Sequence, residues 1–140
     1  MKFVVSFLTL LAIGSFETEA YTFSRCELVR NLRWHGIPEN KMRDWVCLVE
    51  KESSRKTDAI GMQNSDGSWD HGLFQINDRY WCNRGGWPGK DCNVSCDQLR
   101  SADITEAVRC AKKIFARHGF SAWVAWRNYC QGALPHISHC

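Results

Sequence analysis

No stretch of this sequence is apolar for long enough to cross a bilayer. The run FVVSFLTLLAIG at residues 3–14 falls short of the roughly 18–20 residues that a spanning helix needs. It follows Lys2 and precedes Thr18 and Ala20, a charged, apolar, small-residue order that reads as a secretory signal peptide over 1–20. Repeats, low-complexity tracts and linkers are also missing, so residues 21–140 read as one domain. No basic block interleaved with aromatics occurs, which argues against nucleic acid as a partner. Zinc-finger spacing is absent too. Cys92 and Cys96 are close enough to form half a site, but the gap to His136 and His139 is too long and those two are too tightly spaced. The expectation is no metal and no cofactor.

Cysteine, by contrast, is plentiful. Cys26, Cys47, Cys82, Cys92, Cys96, Cys110, Cys130 and Cys140 make an even count of 8 behind a leader, which implies a disulfide framework in a secreted, extracellular chain. Eight cysteines allow 105 pairings, so spacing alone leaves the connectivity open. Beyond the leader the chain holds 17 Lys and Arg against 13 Asp and Glu, a net charge of +4 that favours loose attraction to anionic surfaces.

The hydrophobic pattern begins and ends helical. Ser24 and Glu27 form a capping box ahead of Leu28, Val29 and Leu32, and Gly36 closes that helix. A second helix is expected from about Asn40 to Ser53, with Met42, Trp45, Val46 and Val49 on one face. Residues 60–78 hold short apolar stretches around Asp66-Gly67, a hairpin signal within a small antiparallel sheet. Residues 78–101 are rich in Gly and Cys and read as a loop stapled by disulfides. Helix returns after Asp103, which caps with Glu106 three residues later. Ile104, Ala107, Val108, Ala111 and Phe115 follow at helical spacing, and Gly119 stops the helix. A shorter helix is expected from Ser121 through Cys130. Helices, then a small sheet, then helices make an α+β fold.

Two acids in this pattern invite a chemical reading. Glu52 lies nearly above Trp45 on the second helix, because seven residues fall only about 20° short of two turns, with Leu48 and Val49 beside it. Apolar neighbours and a helix C-terminus both disfavour a negative charge, which suits a general acid. Glu50 lies instead near Arg43, Val46 and Cys47; both glutamates flank the apolar stripe, so periodicity only leans toward Glu52, and Glu50 reads as a surface charge only if Glu52 is the acid. Taken alone, a glutamate in a last helical turn is usually a solvated charge, here near Arg55. Asp70 sits among polar Asn64, Asp66 and Ser68, with Asn77 on the next extended stretch, and carboxamides there can donate to its carboxylate. By itself Asp70 would more often serve its own hairpin. One apolar-set acid and one polar-set acid are the pair that glycoside hydrolysis uses.

The segments SRCELVRNL, DWVCLVEKES, NSDGSWDHGLFQIN, YWCN, DITEAVRCAKKI and SAWVAWRNYC together resemble the chicken-type (c-type) lysozymes, and LVEKESS with GALPH resembles their arthropod branch. The resemblance covers essentially all of residues 21–140. It implies a helical lobe and a small antiparallel β-sheet lobe with a cleft between them. It also implies a muramidase cleaving peptidoglycan with retention, a monomer that takes chitin oligomers as weaker substrates. On the family's pattern Glu52 is the acid and Asp70 the second carboxylate, with Asn64 and Asn77 as amides bonded to that aspartate. Trp123 packs against the acid, and Gln75, Tyr80, Trp81 and the Ala122 backbone line the sugar cleft. The implied disulfides are Cys26–Cys140, Cys47–Cys130, Cys82–Cys96 and Cys92–Cys110.

Several positions depart from that pattern. Tyr80 stands where many relatives have tryptophan. Arg117-His118 stands where some place a sugar-binding acid, which bears on the far end of the cleft. Trp69, beside Asp70, either extends the cleft wall or covers the sheet, while Trp45 and Trp126 read as core. Before the third helix only Asp97 and Asp103 occur, so no calcium site is expected. Asn93-Val94-Ser95 is a glycosylation sequon inside a tight loop. Two other readings compete. A sugar-binding relative without catalysis would lack the two acids. A protein-recognition scaffold would turn the aromatics at 80, 81 and 123 away from any common groove.

Overall fold

A computed structural model describes residues 20–140, so the expected leader lies, except for Ala20, outside the described residues. No helix among the described residues is long and apolar enough to cross a membrane. The chain runs through α1 (Arg25–Trp34), α2 (Glu39–Ser53), β1 (Asp70–His71), β2 (Ile76–Asn77), a 3₁₀ turn at Asp97–Arg100, α3 (Thr105–His118), a second 3₁₀ turn at Phe120–Ala122, and α4 (Val124–Tyr129).

The helical faces are those the spacing predicts. Leu28, Val29 and Leu32 of α1 are buried against Met42, Trp45, Val46 and Val49 of α2, and Ala107, Val108, Ala111 and Ile114 of α3 close the same core. Trp45 is the hub of this core. Only 1% exposed, its ring meets Phe74, Phe115, Phe120 and Trp123 at centroid distances of 5.6, 5.5, 5.2 and 5.4 Å. Phe74 comes from the sheet side and Trp123 from the entry to α4, so one indole joins both lobes. Trp126 packs at the edge of this core, stacked on Phe120 with its Nε1–H donating to Asp44 at 2.9 Å.

Local chemistry shifts some boundaries. Ser24 Oγ accepts the Glu27 N–H as expected, but the Glu27 carboxylate takes the Tyr21 hydroxyl. Asp103 accepts from the Thr105 N–H and hydroxyl but stands one residue ahead of the N-cap, Ile104, so it is not the cap expected; α3 starts at Thr105, and Glu106 pairs with Arg109 rather than completing a box. Ser121 does not open a continuous helix. Trp123 is extended (φ −99°, ψ 119°) and divides a 3₁₀ turn from α4.

The sheet is small. Asp70 pairs with Asn77 and His71 with Ile76, antiparallel. The Asp66-Gly67 turn forms, with the Asn64 N–H on Ser68 O at 2.9 Å, and Gly61 N–H on Asp70 O extends the pairing. The two named strands, however, are joined by residues 72–75. Gly72 at φ +76° fixes that connection, because a Cβ there would lie 1.9 Å from the Leu99 carbonyl oxygen. The loop beyond is sewn down by Cys82–Cys96 and by Cys92–Cys110, which reaches α3. Cys26–Cys140 and Cys47–Cys130 tie α1 and α2 to the C-terminal segment. Val94, Leu99 and the loop cysteines join the main hydrophobic cluster, so the loop shares the common core. In the sequon, Asn93 is exposed but Ser95 is only 4% exposed and bonded to Gln98.

Candidate active site

Between the lobes runs a groove of about 1020 Å³ whose lining includes Glu52, Asn64, Asp70, Gln75, Asn77, Tyr80, Trp81, Ala122 and Trp123. Every candidate catalytic or sugar-contacting residue therefore faces one space. Tyr80, Trp81 and Trp123 share it, which is the opposite of what a recognition scaffold with scattered aromatics requires.

The last turn of α2 carries Glu52 into this groove. Burial is the main cause that raises its carboxyl to about 7. The Ala125 backbone N–H, in the first turn of α4, opposes the rise, and the charge of Asp70 adds to it. Trp123 forms the nearby wall. Its Nε1–H donates to Phe74 O at 2.8 Å and its ring meets Trp45 edge-on, so its position is fixed from both lobes.

Glu50 requires a correction to the surface-charge reading. Its side chain is only 16% exposed, with Arg25 bidentate at 3.1 and 2.9 Å and Arg55 at 3.2 Å. Arg55 belongs to Glu50, not Glu52, because the chain leaves α2 through left-handed Ser54 (φ 53°) and Arg55 (φ 65°). One glutamate is neutralised by two guanidiniums, and its neighbour two residues on faces the groove.

Asp70 is held differently. Asn77 Nδ2 donates to Oδ1 at 3.0 Å and Asn64 Nδ2 to the same oxygen at 3.3 Å. Both amides also reach Ser68 Oγ, at 2.7 and 3.1 Å, and that hydroxyl donates to Asp66 Oδ1 at 2.5 Å. Asp66 sits at about 2, lowered by the Ser68 hydroxyl first, then by the Ser68 N–H and Arg79. Ser68 is thus the buried joint of the network, a role its sequence context did not disclose.

The other lining residues differ in what they offer. Tyr80 is 58% exposed with Arg79 stacked on its ring at 5.3 Å, which leaves an open aromatic surface. Trp81 is 9% exposed; the Arg117 guanidinium lies 5.2 Å over its ring and His118 meets it at 6.0 Å. Arg117 also pairs with Asp91 at 2.5 Å, and Trp81, Asp91, Arg117 and His118 all line the groove, so this part of its wall is charged. Gln75 Nε2 bonds to Ala59 O and Gly72 O, so its amide braces the 72–75 turn as it lines the groove. Trp69 is half-buried and absent from the lining, so it does not extend the cleft wall.

The family model for C-type lysozyme and alpha-lactalbumin matches residues 21–140. The chain is a member of that family. It is 58% identical over 139 residues to a lysozyme of Bombyx mori, an alignment covering 99% of this chain and 98% of the relative. It is 54% identical to a lysozyme of Hyalophora cecropia over 98% of this chain and 100% of the relative. Lysozyme c-1 of Anopheles gambiae is 47% identical over 87% of this chain and 86% of the relative. The fold is the family's: α-helices with a small antiparallel sheet and four disulfides.

Proposed function

We propose that the chain is a secreted muramidase that hydrolyses the β-1,4 link between N-acetylmuramic acid and N-acetylglucosamine in bacterial peptidoglycan. The observation that carries this reading is the pair of unlike carboxyls in one groove, Glu52 in apolar surroundings and Asp70 held by two amides. Glu52 starts protonated and gives its proton to the glycosidic oxygen as the bond to the anomeric carbon breaks. Asp70 takes the positive charge that develops there, as nucleophile or as counter-ion. Glu52, now a carboxylate, removes a proton from water as that water replaces the leaving group. A retaining route of this kind needs carboxyls about 5–5.5 Å apart. Tyr80 offers a stacking surface for sugar, and the protein acts as a monomer. Chitin oligomers, which share the acetamido sugar but lack the lactyl carboxylate, are the weaker substrate.

The test is direct. The chain without residues 1–20 should clear a suspension of bacterial cell walls and release new reducing ends, with the β-anomer appearing first by proton NMR. Binding to walls without new reducing ends would favour the non-catalytic reading instead. The pH dependence follows from Glu52, which must be protonated to act. The kcat for a soluble peptidoglycan oligomer should decline as pH rises through about 7. A kcat that keeps rising to pH 9 would contradict the assigned role.

A further inference from the structure

Asp78 is 3% exposed and carries a carboxylate that does not line the groove. Asp70 and Asn77 line the groove, whereas the buried His71 and Asp78 do not. Asp78 accepts two hydrogen bonds from β1 and its lead-in. Oδ1 takes the Trp69 N–H at 3.1 Å, and Oδ2 lies 2.9 Å from His71 Nε2. The two donors are the residues immediately before and after Asp70.

The sheet's own hydrogen bonding explains why this matters. Strands of two residues are too short to hold a register alone. The Asp78 N–H bonds to Trp69 O at 2.9 Å, as a ladder would continue. The return bond, Trp69 N–H to the Asp78 carbonyl, is replaced by one to the Asp78 side chain, while that carbonyl takes the Lys90 ammonium. The rung beside Asp70 therefore depends on a side chain.

The polarity of the histidine is set by its other neighbour. Arg100 Nη1 lies 2.6 Å from His71 Nδ1, and a guanidinium can only donate. Nδ1 must then accept, so the ring hydrogen sits on Nε2 and points at Asp78. Arg100 is held in turn by Asp97, and Arg84 stands 3.5 Å from Asp78 Oδ2, so the buried carboxylate faces cationic and donor groups.

We propose that Asp78 is the positioning residue for Asp70. One of its oxygens holds the Trp69 backbone N–H just before that aspartate and the other holds the His71 imidazole just after it, and His71 transmits the anchor from the 3₁₀ turn at Asp97–Arg100. The inference rests on the muramidase reading, in which Asp70 must meet the anomeric carbon with its oxygen correctly placed.

Asp78→Asn is the critical substitution. An amide can accept from one donor but presents its own N–H to the other, so one side of the clamp opens. A misplacement of about 1 Å can cost 10²-fold, so kcat for a soluble peptidoglycan oligomer should fall roughly tenfold or more while KM stays within about twofold. Leu32→Ala, a cavity in the α1 core, is the control for mere destabilisation and should leave kcat unchanged below its melting point. His71→Gln can still donate to Asp78 and accept from Arg100, and should recover most of the turnover lost in His71→Leu. The proposal is overturned if Asp78→Asn keeps wild-type kcat, or loses no more than Leu32→Ala. Equal activities of the two His71 variants overturn it as well, even if Asp78→Asn fails to fold. Wild-type chain and Asp70→Asn run in the same assay separate the two claims. No wild-type turnover, or full turnover by Asp70→Asn, sinks the muramidase reading; an active wild type and an impaired Asp70→Asn beside an Asp78→Asn with wild-type kcat sink only the clamp.

Discussion

Glu52→Gln is expected to reduce turnover by roughly 10²–10⁴-fold, the usual contribution of a positioned general acid. Glutamine fills the same space and can still meet the Ala125 N–H through its carbonyl, so the loss measures the proton and not the shape. The same substitution should stabilise the fold at alkaline pH. The folded carboxyl is raised from 4.5 to about 7, so the native state binds the proton more tightly than the unfolded chain. The stability this contributes is complete below about 4.5 and is lost as pH rises through about 7. Every tenfold difference in proton affinity between the two states is worth about 1.36 kcal/mol; discounted for partial exposure, the penalty at pH 8 is about 2 kcal/mol. Glutamine does not carry that penalty. Urea melts at pH 5 and pH 8 should show a gain for the variant at the higher pH alone.

Trp45→Ala should be the most damaging single change to the core. A fully buried tryptophan replaced by alanine costs about 3–5 kcal/mol, which for a domain of this size lowers Tm by roughly 10–20 °C. The effect should reach the groove, because Trp45 is the edge partner that fixes Trp123, and Trp123 walls the site. Thermal melts give the stability, and near-ultraviolet circular dichroism should show loss of the aromatic signal of the cluster. A Tm within a few degrees of wild type would mean that the other aromatics hold the lobes together without their hub.

The two predictions depend on features that differ in how far the sequence discloses them. Helical geometry leans toward Glu52 as the acid by setting it over Trp45, Leu48 and Val49, but the groove wall beside it comes from Trp123, far along the chain. The fate of Glu50 was not legible in the same way. Its partner Arg25 lies on α1, and Arg55 reaches it only because Ser54 and Arg55 turn left-handed, a feature that neither residue type advertises. Around Asp70, the cluster of Asn64, Asp66, Ser68 and Asn77 signalled a polar environment, but not that Ser68 would join both amides. The Asp66-Gly67 turn was visible. The connection that sets the strand register was not, since Gly72 is required by the approach of Leu99 from a distant turn.

Asp78 marks the limit of local reading. In the string INDRY it resembles an ordinary turn aspartate, and nothing nearby predicts that it will be buried. Its position follows from His71 across the sheet and from Arg100 further along the chain, contacts that exist only once the loop has folded back. The charged part of the groove wall is similar. Arg117-His118 reads in sequence as a basic helix end, but Asp91 and Trp81 turn it into part of the wall.

The central claim is that burial beside Asp70 keeps Glu52 protonated at the pH where it works. Carbon-13 labelling of the glutamate carboxyls and an NMR titration from pH 3 to pH 9, with Glu52→Gln assigning the signal, measure this directly. A Glu52 midpoint at about 7 is the predicted result. A midpoint near the ordinary glutamate value, about 4.3, would contradict it.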